Sequence, residues 1–416
     1  MTSTNASQAL QRTNSVRILI LIDDYLPSTK SGAKMIHDLG LQFIRQGNEV
    51  ILLTPSPAIS ATVEVSLEHG LQVVRVRTDK LKGVSKLRRA LAEITLSSKL
   101  WRRASAFLKA NPCDLIVYYS PTIFLGALVR KLKSLWRCPS YLVLRDIFPK
   151  WAVEAGVLRK GFPYWYFRYK EIAQYRAADM IGVESSGNLA YFSGELGDRR
   201  FAVEVLHSWT SSNGNEACKS GYRRQLELEN NVVFFYGGNI GVAQDVDNIV
   251  RLANGLKEHS NIFFLLVGEG SEIARLNQSI RDLGLCNIKI LPTVPQEQYF
   301  AMLYEFDVGI VSLHRNLTSH NFPGKLLGYM SCGKPVLASI NPGNDIRRVL
   351  EEAGAGLCCD NGDDERLREA ALRLANDPKL RETMGRNSRL LLETRFSDRA
   401  AADQILSHFR TASAAG

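Results

Sequence analysis

Three stretches of this 416-residue chain bring glycine together with amides, carboxylates or a cation, at spacings suited to holding a phosphate. The first is Gly237-Gly238-Asn239-Ile240-Gly241, between the apolar run Val232–Tyr236 and a helical pattern expected from about Asp245. Glycines let a backbone approach a phosphate closely, and a following helix N-terminus offers unpaired N–H groups and partial positive charge. Gln244, Asp245 and Asp247 add side-chain acceptors, or simply cap the helix. The second is Val267-Gly268-Glu269-Gly270-Ser271, which puts Glu269 at a strand's carboxyl end and Ser271 at an N-cap. A plain strand-to-helix turn explains it equally well. The third is His320-Asn321-Phe322-Pro323-Gly324-Lys325, opening a helical stretch. Proline has no N–H, so the donors of this turn are the amides of Gly324 and Lys325. A cation in the first turn of a helix opposes the helix dipole, so Lys325 calls for another reason to be there. Pairing with a diphosphate supplies one, worth about 4 kcal/mol before desolvation at an effective dielectric near 20. The alternative is a solvated surface lysine.

The N-terminal half has fewer chemical groups. Leu144-Arg145-Asp146-Ile147-Phe148-Pro149 ends a strand-like run, and a carboxylate there can receive a hydroxyl proton. Arg145 and Asp146 can instead bond each other or nearby backbone. Asp23-Asp24 after the first strand is a similar candidate, with Asp24 preferred, whereas His207 beside Trp209 reads as structural. Between Arg75 and Lys109 there are eleven Lys or Arg against two acids. Leu87, Leu91, Ile94, Leu100 and Trp101 fall at helical spacing there, so the stretch reads as a basic amphipathic helix for an anionic membrane surface. A helix packed on its domain with a solvated basic face is the alternative.

The elements needed to position these groups follow an α/β alternation. Strands are expected at 17–22, 49–53, 71–76, 114–119, 140–144, 179–183 and 202–205, then at 232–236, 262–267, 288–291, 308–312, 335–340 and 356–359. Helical patterns separate most of them, and 378–412 reads as an amphipathic helical tail. Short apolar strands without polar alternation indicate parallel sheets buried on both faces. The fold class is therefore α/β, with two doubly wound parallel-sheet domains expected to face each other across a cleft. The expected division is a flexible leader 1–15, a domain 16–207, a polar linker 208–220, a domain 221–395, and a C-terminal helix 396–412 packing back on the first domain. Ligands of such sheets bind beyond the carboxyl ends of the strands, where the candidates above lie.

The net charge of +10 favours anionic partners. Nucleic acid is not among those expected, since no RNA-binding aromatic signature, zinc finger or helix-turn-helix is present. The seven cysteines show no C-x-x-C pair and read as reduced core residues, with no metal site. No apolar run approaches the roughly 18–20 residues needed to span a bilayer, and the polar N-terminus does not read as a signal peptide. A cytoplasmic protein held peripherally at the inner face of the plasma membrane is expected.

Arg145-Asp146-Ile147-Phe148-Pro149, Gly238-Asn239-Ile240-Gly241 with Gln244, and Phe322-Pro323-Gly324-Lys325 followed by Tyr329-Met330 carry a resemblance. Together they resemble glycosyltransferase family 4, a retaining family with the GT-B fold of two Rossmann-like domains, over about Arg17 to Phe409. Within it the motifs look like bacterial N-acetyl-L-fucosamine transferases of O-antigen and capsule synthesis. The resemblance implies a nucleotide-sugar donor, taken as UDP-linked, held by the second domain without a metal or other cofactor. Gly238, Asn239, Gly241 and Gln244 would lie at the diphosphate, with Glu269 nearby. Thr293 and Val294 would flank the base, and His320, Phe322, Gly324 and Lys325 would hold donor sugar and phosphate. Asp24, Arg145 and Asp146 would face a lipid-linked saccharide acceptor. Two departures stand out. His320 and Gly328 occupy positions where many members carry glutamates eight apart, and Val242-Ala243-Gln244-Asp245 replaces a segment that usually bears Arg and Lys. Lys325 is left as a surviving cation.

Breaking a sugar–phosphate bond builds positive charge on the sugar and negative charge on the leaving diphosphate. Amides, a helix N-terminus and Lys325 would stabilise that leaving group, and Asp146 is the candidate base. A nucleotide-sugar epimerase of the same architecture and a non-catalytic nucleotide-sugar or membrane-surface binding protein are the rival readings.

Overall fold

The computed structural model describes residues 15–28, 30–80, 85–154, 157–197, 201–211, 221–317 and 322–410. Most of the expected leader (1–14), most of the linker (212–220) and His320 lie outside the described residues. The chain divides into two compact units. The first runs to Ser208 and takes back the chain from Asp398 onward; the second is Trp209–Ser397.

The first unit has eight strands: β1 Arg17–Leu21, β2 Glu49–Ser56, β3 Val63–Glu68, β4 Leu71–Arg77, β5 Leu115–Ser120, β6 Ser140–Leu144, β7 Met180–Val183 and β8 Val203–Val205. Their order is β3-β4-β2-β1-β5-β6-β7-β8, parallel except for the β3–β4 pair. β3 is not among the strands expected from sequence. It is a polar edge strand that pairs Glu64 opposite Arg75 and leaves Leu67 75% exposed, so no apolar run marks it. The turn into β4 uses His69 and Gly70, both at positive φ.

The second unit has six strands, all parallel: β9 Val232–Gly237, β10 Ile262–Val267, β11 Ile288–Leu291, β12 Val308–Ser312, β13 Val336–Ile340 and β14 Gly356–Asp360, in the order β11-β10-β9-β12-β13-β14. Along β9, Val233 and Phe235 enter one core and Phe234 and Tyr236 the other. Burial on both faces is why these strands read as unbroken apolar runs.

Two expectations need correction. The basic stretch is not one helix with an exposed apolar face. It breaks at Thr95 into Lys86–Ile94 and Leu96–Ala110. In the second helix Leu96, Leu100, Ala104 and Leu108 are buried in the core, and Trp101 packs against it under Lys131, whose Nζ is 4.1 Å from the ring centroid. Leu91 and Ile94 stay exposed, and the Leu87 side chain lies outside the described residues. The tail is likewise interrupted, with helices Pro378–Leu391 and Asp398–Arg410 separated by a π-turn at Leu392–Phe396. The last helix is tied to the first unit. Asp398 pairs with Arg45 at 3.4 Å, Gln404 donates to the Val205 carbonyl at 2.9 Å, and His408 lies 2.9 Å from Glu204. Cys113, Cys138, Cys358 and Cys359 are buried free thiols.

Candidate functional site

In the second unit the strand order reverses between β9 and β12, since the chain leaves β9 for β10 and β11 and then crosses to β12. Such a switch point parts the two flanking loops and opens a crevice at the carboxyl edge. The loop after β9 carries Gly238-Asn239-Ile240-Gly241, and the helix Gly324–Ser331 follows β12. The Lys325 Nζ lies 3.5 Å from the centroid of the Tyr236 ring. A Cβ placed on Gly238 would stand 3.8 Å from that nitrogen. The glycine turn and the cation are therefore neighbours.

The loop is held by its neighbours. The Gly238 N–H donates to the Val267 carbonyl at 2.9 Å, and the Ile240 N–H to the Glu269 carbonyl at 2.7 Å. Gly238 has φ +123°, which favours glycine. A Cβ on Gly268 would stand 1.8 Å from the Gly238 carbonyl oxygen, so only glycine permits this approach. The second glycine turn is thus the floor under the first, and the Glu269 side chain remains exposed. The Tyr236 hydroxyl donates to the Asn239 carbonyl at 2.6 Å, and Asn239 Nδ2 donates to Gln244 Oε1 at 2.7 Å. The expected helix start at Asp245 moves. A 3-10 turn at Val242–Gln244 intervenes and the α-helix begins at Asp247, whose carboxylate pairs with Arg275.

Across the switch point, the Tyr329 hydroxyl donates to the Ile310 carbonyl at 3.0 Å and accepts from the Gly237 N–H at 3.2 Å. That bridge fixes the helix bearing Lys325 against β9 and β12. The Lys325 Nζ is buried and has no hydrogen-bond partner among the described residues. Burial pushes its pKa down to about 7. The Tyr236 face offsets part of that cost through its ring quadrupole.

The other candidates of this unit differ in exposure. Thr293 is exposed and Val294 half-buried on the loop after β11. Gly324 is exposed at the helix start. Phe322 is buried, its ring 5.3 Å from that of Phe396, so its side chain anchors the loop in the core. Gly328 faces the Tyr299 ring, and a Cβ placed on it would stand 3.7 Å from that ring.

The first unit has its own reversal, between β1 and β5. Asp24 accepts from Ser28 Oγ at 3.1 Å and pairs with Lys30 at 3.3 Å. The carboxyl of Asp23, the less preferred of the pair in sequence, is raised by desolvation to about 6. The Asp146 carboxyl is also raised by desolvation, with Lys30 opposing the shift. Tyr119, at the end of β5, is raised to about 12 by desolvation and feels both Asp146 and Asp23. Its hydroxyl lies 2.5 Å from where a Cβ on Gly32 would stand, so the helix Ser31–Arg45 closely approaches the end of β5. Arg145 is turned to backbone, donating to the carbonyls of Leu206 at 2.9 Å and His207 at 3.1 Å. It pins the chain after β8. His207 Nδ1 lies 3.1 Å from the Glu184 carbonyl oxygen. The burial that raises Asp23 is set by the packing of its loop, which the adjacent-aspartate pattern does not reveal.

Elsewhere on this unit, Arg77, Lys80, Arg88 and Arg103 line a surface cavity of about 710 Å³. Among the described residues no helix is long and apolar enough to cross a membrane, and no group of three or more His, Cys, Asp or Glu could hold a metal ion.

Residues 220–391 match the Glycosyl transferases group 1 family model. The second unit carries a group 1 glycosyl transferase domain. The paired glycine turns, the switch point and Lys325 all lie within this group 1 domain. The chain is 25% identical to the probable glycosyltransferase WbjE of Pseudomonas aeruginosa, over 53% of this chain and 56% of that one. It is 33% identical to the lipopolysaccharide core biosynthesis glycosyltransferase LpsD of Rhizobium meliloti, over 38% of this chain and 44% of that one. The matches thus span about half the length of these relatives. Among solved structures, Anabaena HepE in complex with UDP-glucose superposes with a TM-score of 0.64 at 18% identity, covering 95% of this chain and all of that one. The fold is of the GT-B class, with two Rossmann-like units.

Proposed function

We propose that the protein is a retaining glycosyltransferase that moves a sugar from a UDP-linked donor to a lipid-linked saccharide in surface-polysaccharide synthesis. The observation that carries this reading is the buried, unpartnered Lys325 ammonium beside Gly238 at the switch point of the group 1 domain. An unpaired buried amine is costly unless a ligand completes it. A diphosphate is the complement, and HepE was solved with UDP-glucose. The named activities of WbjE and LpsD support sugar transfer, and LpsD supports a lipopolysaccharide-type product. An N-acetyl-L-fucosamine-type amino sugar is the donor sugar we assign, from the resemblance of the motifs.

In the mechanism we assign, the anomeric C–O bond to the diphosphate breaks and an oxocarbenium-like sugar forms. Lys325 and the amides of Gly324 and Lys325 take the charge of the departing oxygen, so no metal is required. Asp146, with its raised pKa, is the group assigned to receive the acceptor hydroxyl proton. The basic helices Lys86–Ile94 and Leu96–Ala110 supply charge for an anionic membrane at the cytoplasmic face.

A donor screen followed by product analysis tests the reading. Purified protein is incubated with nucleotide sugars, with and without an extract of lipid-linked saccharides. Sugar appearing on lipid only when the extract is present supports transfer. Conversion of the donor without acceptor indicates an epimerase, and binding without turnover in the extract indicates a non-catalytic binder.

A further inference from the structure

The helix Phe162–Tyr175 presents aromatic rings to solvent, and the residues that do so share one face. Phe162 is 85% exposed, Trp165 64% and Tyr169 65%. Their spacing of three and four puts them within about 60° of one another around the helix axis. Val157, 74% exposed, and Trp151, 47% exposed, lie just upstream. Large apolar rings exposed together, rather than singly, mark an interaction surface.

The surrounding charges point to the occupant. Residues 150–170 contain five Lys or Arg against a single acid, Glu154. Arg159 and Lys160 are exposed immediately before the helix. The Lys170 Nζ lies 5.4 Å from the Tyr166 ring centroid and 5.9 Å from that of Tyr169, so a cation sits beside the exposed rings. Trp and Tyr with basic residues beside them suit the headgroup level of an anionic bilayer, where a ring is half apolar and half wet. The core of a protein–protein contact is depleted of charge, whereas cations flank this stripe.

We infer that Phe162, Trp165 and Tyr169 insert into the interfacial layer of an anionic membrane and give the chain an apolar anchor. The anchor is separate from the basic helices at 86–110. One signal alone gives marginal membrane binding, and an electrostatic patch with an apolar one gives stable docking. The anchor also adjoins the candidate acceptor edge. The Phe148 ring is 5.1 Å from that of Phe167 on the same helix and 6.0 Å from that of Trp151, and Asp146 lies two residues before Phe148. A lipid-borne saccharide at this membrane would be presented beside Asp146; that last step rests on the function proposed above, while the docking does not.

The test is sedimentation of the full chain with phosphatidylglycerol-containing vesicles and with phosphatidylcholine vesicles, at low and high salt, together with Trp fluorescence. Phe162→Ser/Trp165→Ser/Tyr169→Ser should lower the fraction bound to anionic vesicles at least about tenfold and remove the binding that survives high salt. Lipids brominated on their acyl chains should quench the wild type more than Trp165→Phe, a comparison that does not depend on the triple variant folding. Wild-type-like binding by a folded triple variant would overturn the inference, as would equal quenching of wild type and Trp165→Phe. Self-association of the wild type without vesicles, lost in the triple variant, would assign the stripe to a second copy and also overturn it. Loss of docking with retained transfer to a detergent-solubilised acceptor separates this inference from the proposed function.

Discussion

The Lys325 ammonium stands over the Tyr236 ring at 3.5 Å with no hydrogen-bond acceptor among the described residues. A lysine so placed is poor for stability and well suited to an incoming anion. Replacing Lys325 with methionine keeps the stem and removes the amine. Lys325→Met is expected to raise the stability of the ligand-free protein by about 1–3 kcal/mol, read by denaturant unfolding at neutral pH, while cutting sugar transfer at least about tenfold. Destabilisation with retained transfer would show that the amine has a structural partner instead.

The pH dependence of donor affinity follows from the same group. Free Lys325 titrates at about 7, and a bound diphosphate favours the ammonium and raises that value. Above pH 7, binding takes up a proton, so affinity falls as pH rises, by up to about tenfold per unit until the bound-state pKa is reached. Below pH 7 the amine is already charged and contributes no slope. Titration calorimetry across pH 7–9 should show this slope in the wild type and lose it in Lys325→Met.

Folding stability carries the opposite sign. The folded pKa of Lys325 lies below the unfolded one, so between about pH 7 and pH 10 the unfolded chain holds more protons and this group makes stability rise with pH. The rise should be smaller in Lys325→Met when unfolding is measured over the same range.

Much of this arrangement is legible in the sequence. Strand-length apolar runs such as Val232–Tyr236 and Ile262–Val267 specify a sheet buried on both faces, and glycines at their ends mark the loops that approach a ligand. The lysine after Pro323-Gly324 is visible as a charge opposing its helix dipole. Its burial is not, because that depends on the Tyr329 bridge between Gly237 and Ile310, which joins residues 92 and 19 positions apart. Arg145 and Phe322 show the opposite outcome. Their positions in motifs suggest ligand contact, yet one guanidinium holds backbone carbonyls and one ring fills the core. The exposure of the rings at 162, 165 and 169 is not legible in the sequence, since spacing alone does not say which face is covered.

Gly268 tests how the loop is built. Gly268→Ala would put a methyl 1.8 Å from the Gly238 carbonyl oxygen. The glycine turn must shift, and we expect about 1–3 kcal/mol of destabilisation together with weakened UDP binding. Wild-type UDP affinity in this variant would separate the second turn from the site.

Asp146→Asn should lower transfer at least about tenfold and leave UDP affinity unchanged, because the residue is assigned to the acceptor hydroxyl and not to the donor. Steady-state rates alongside calorimetry would distinguish this from a folding defect. Chelation with EDTA should leave the transfer rate of the wild type unaltered.

The most direct measurement compares UDP with uridine, by calorimetry near pH 7, in wild type and Lys325→Ala. The diphosphate should improve binding by at least about tenfold in the wild type, and most of that gain should vanish in the variant while uridine affinity stays the same. Equal gains in both proteins would contradict a diphosphate held by Lys325 at the β9–β12 switch point.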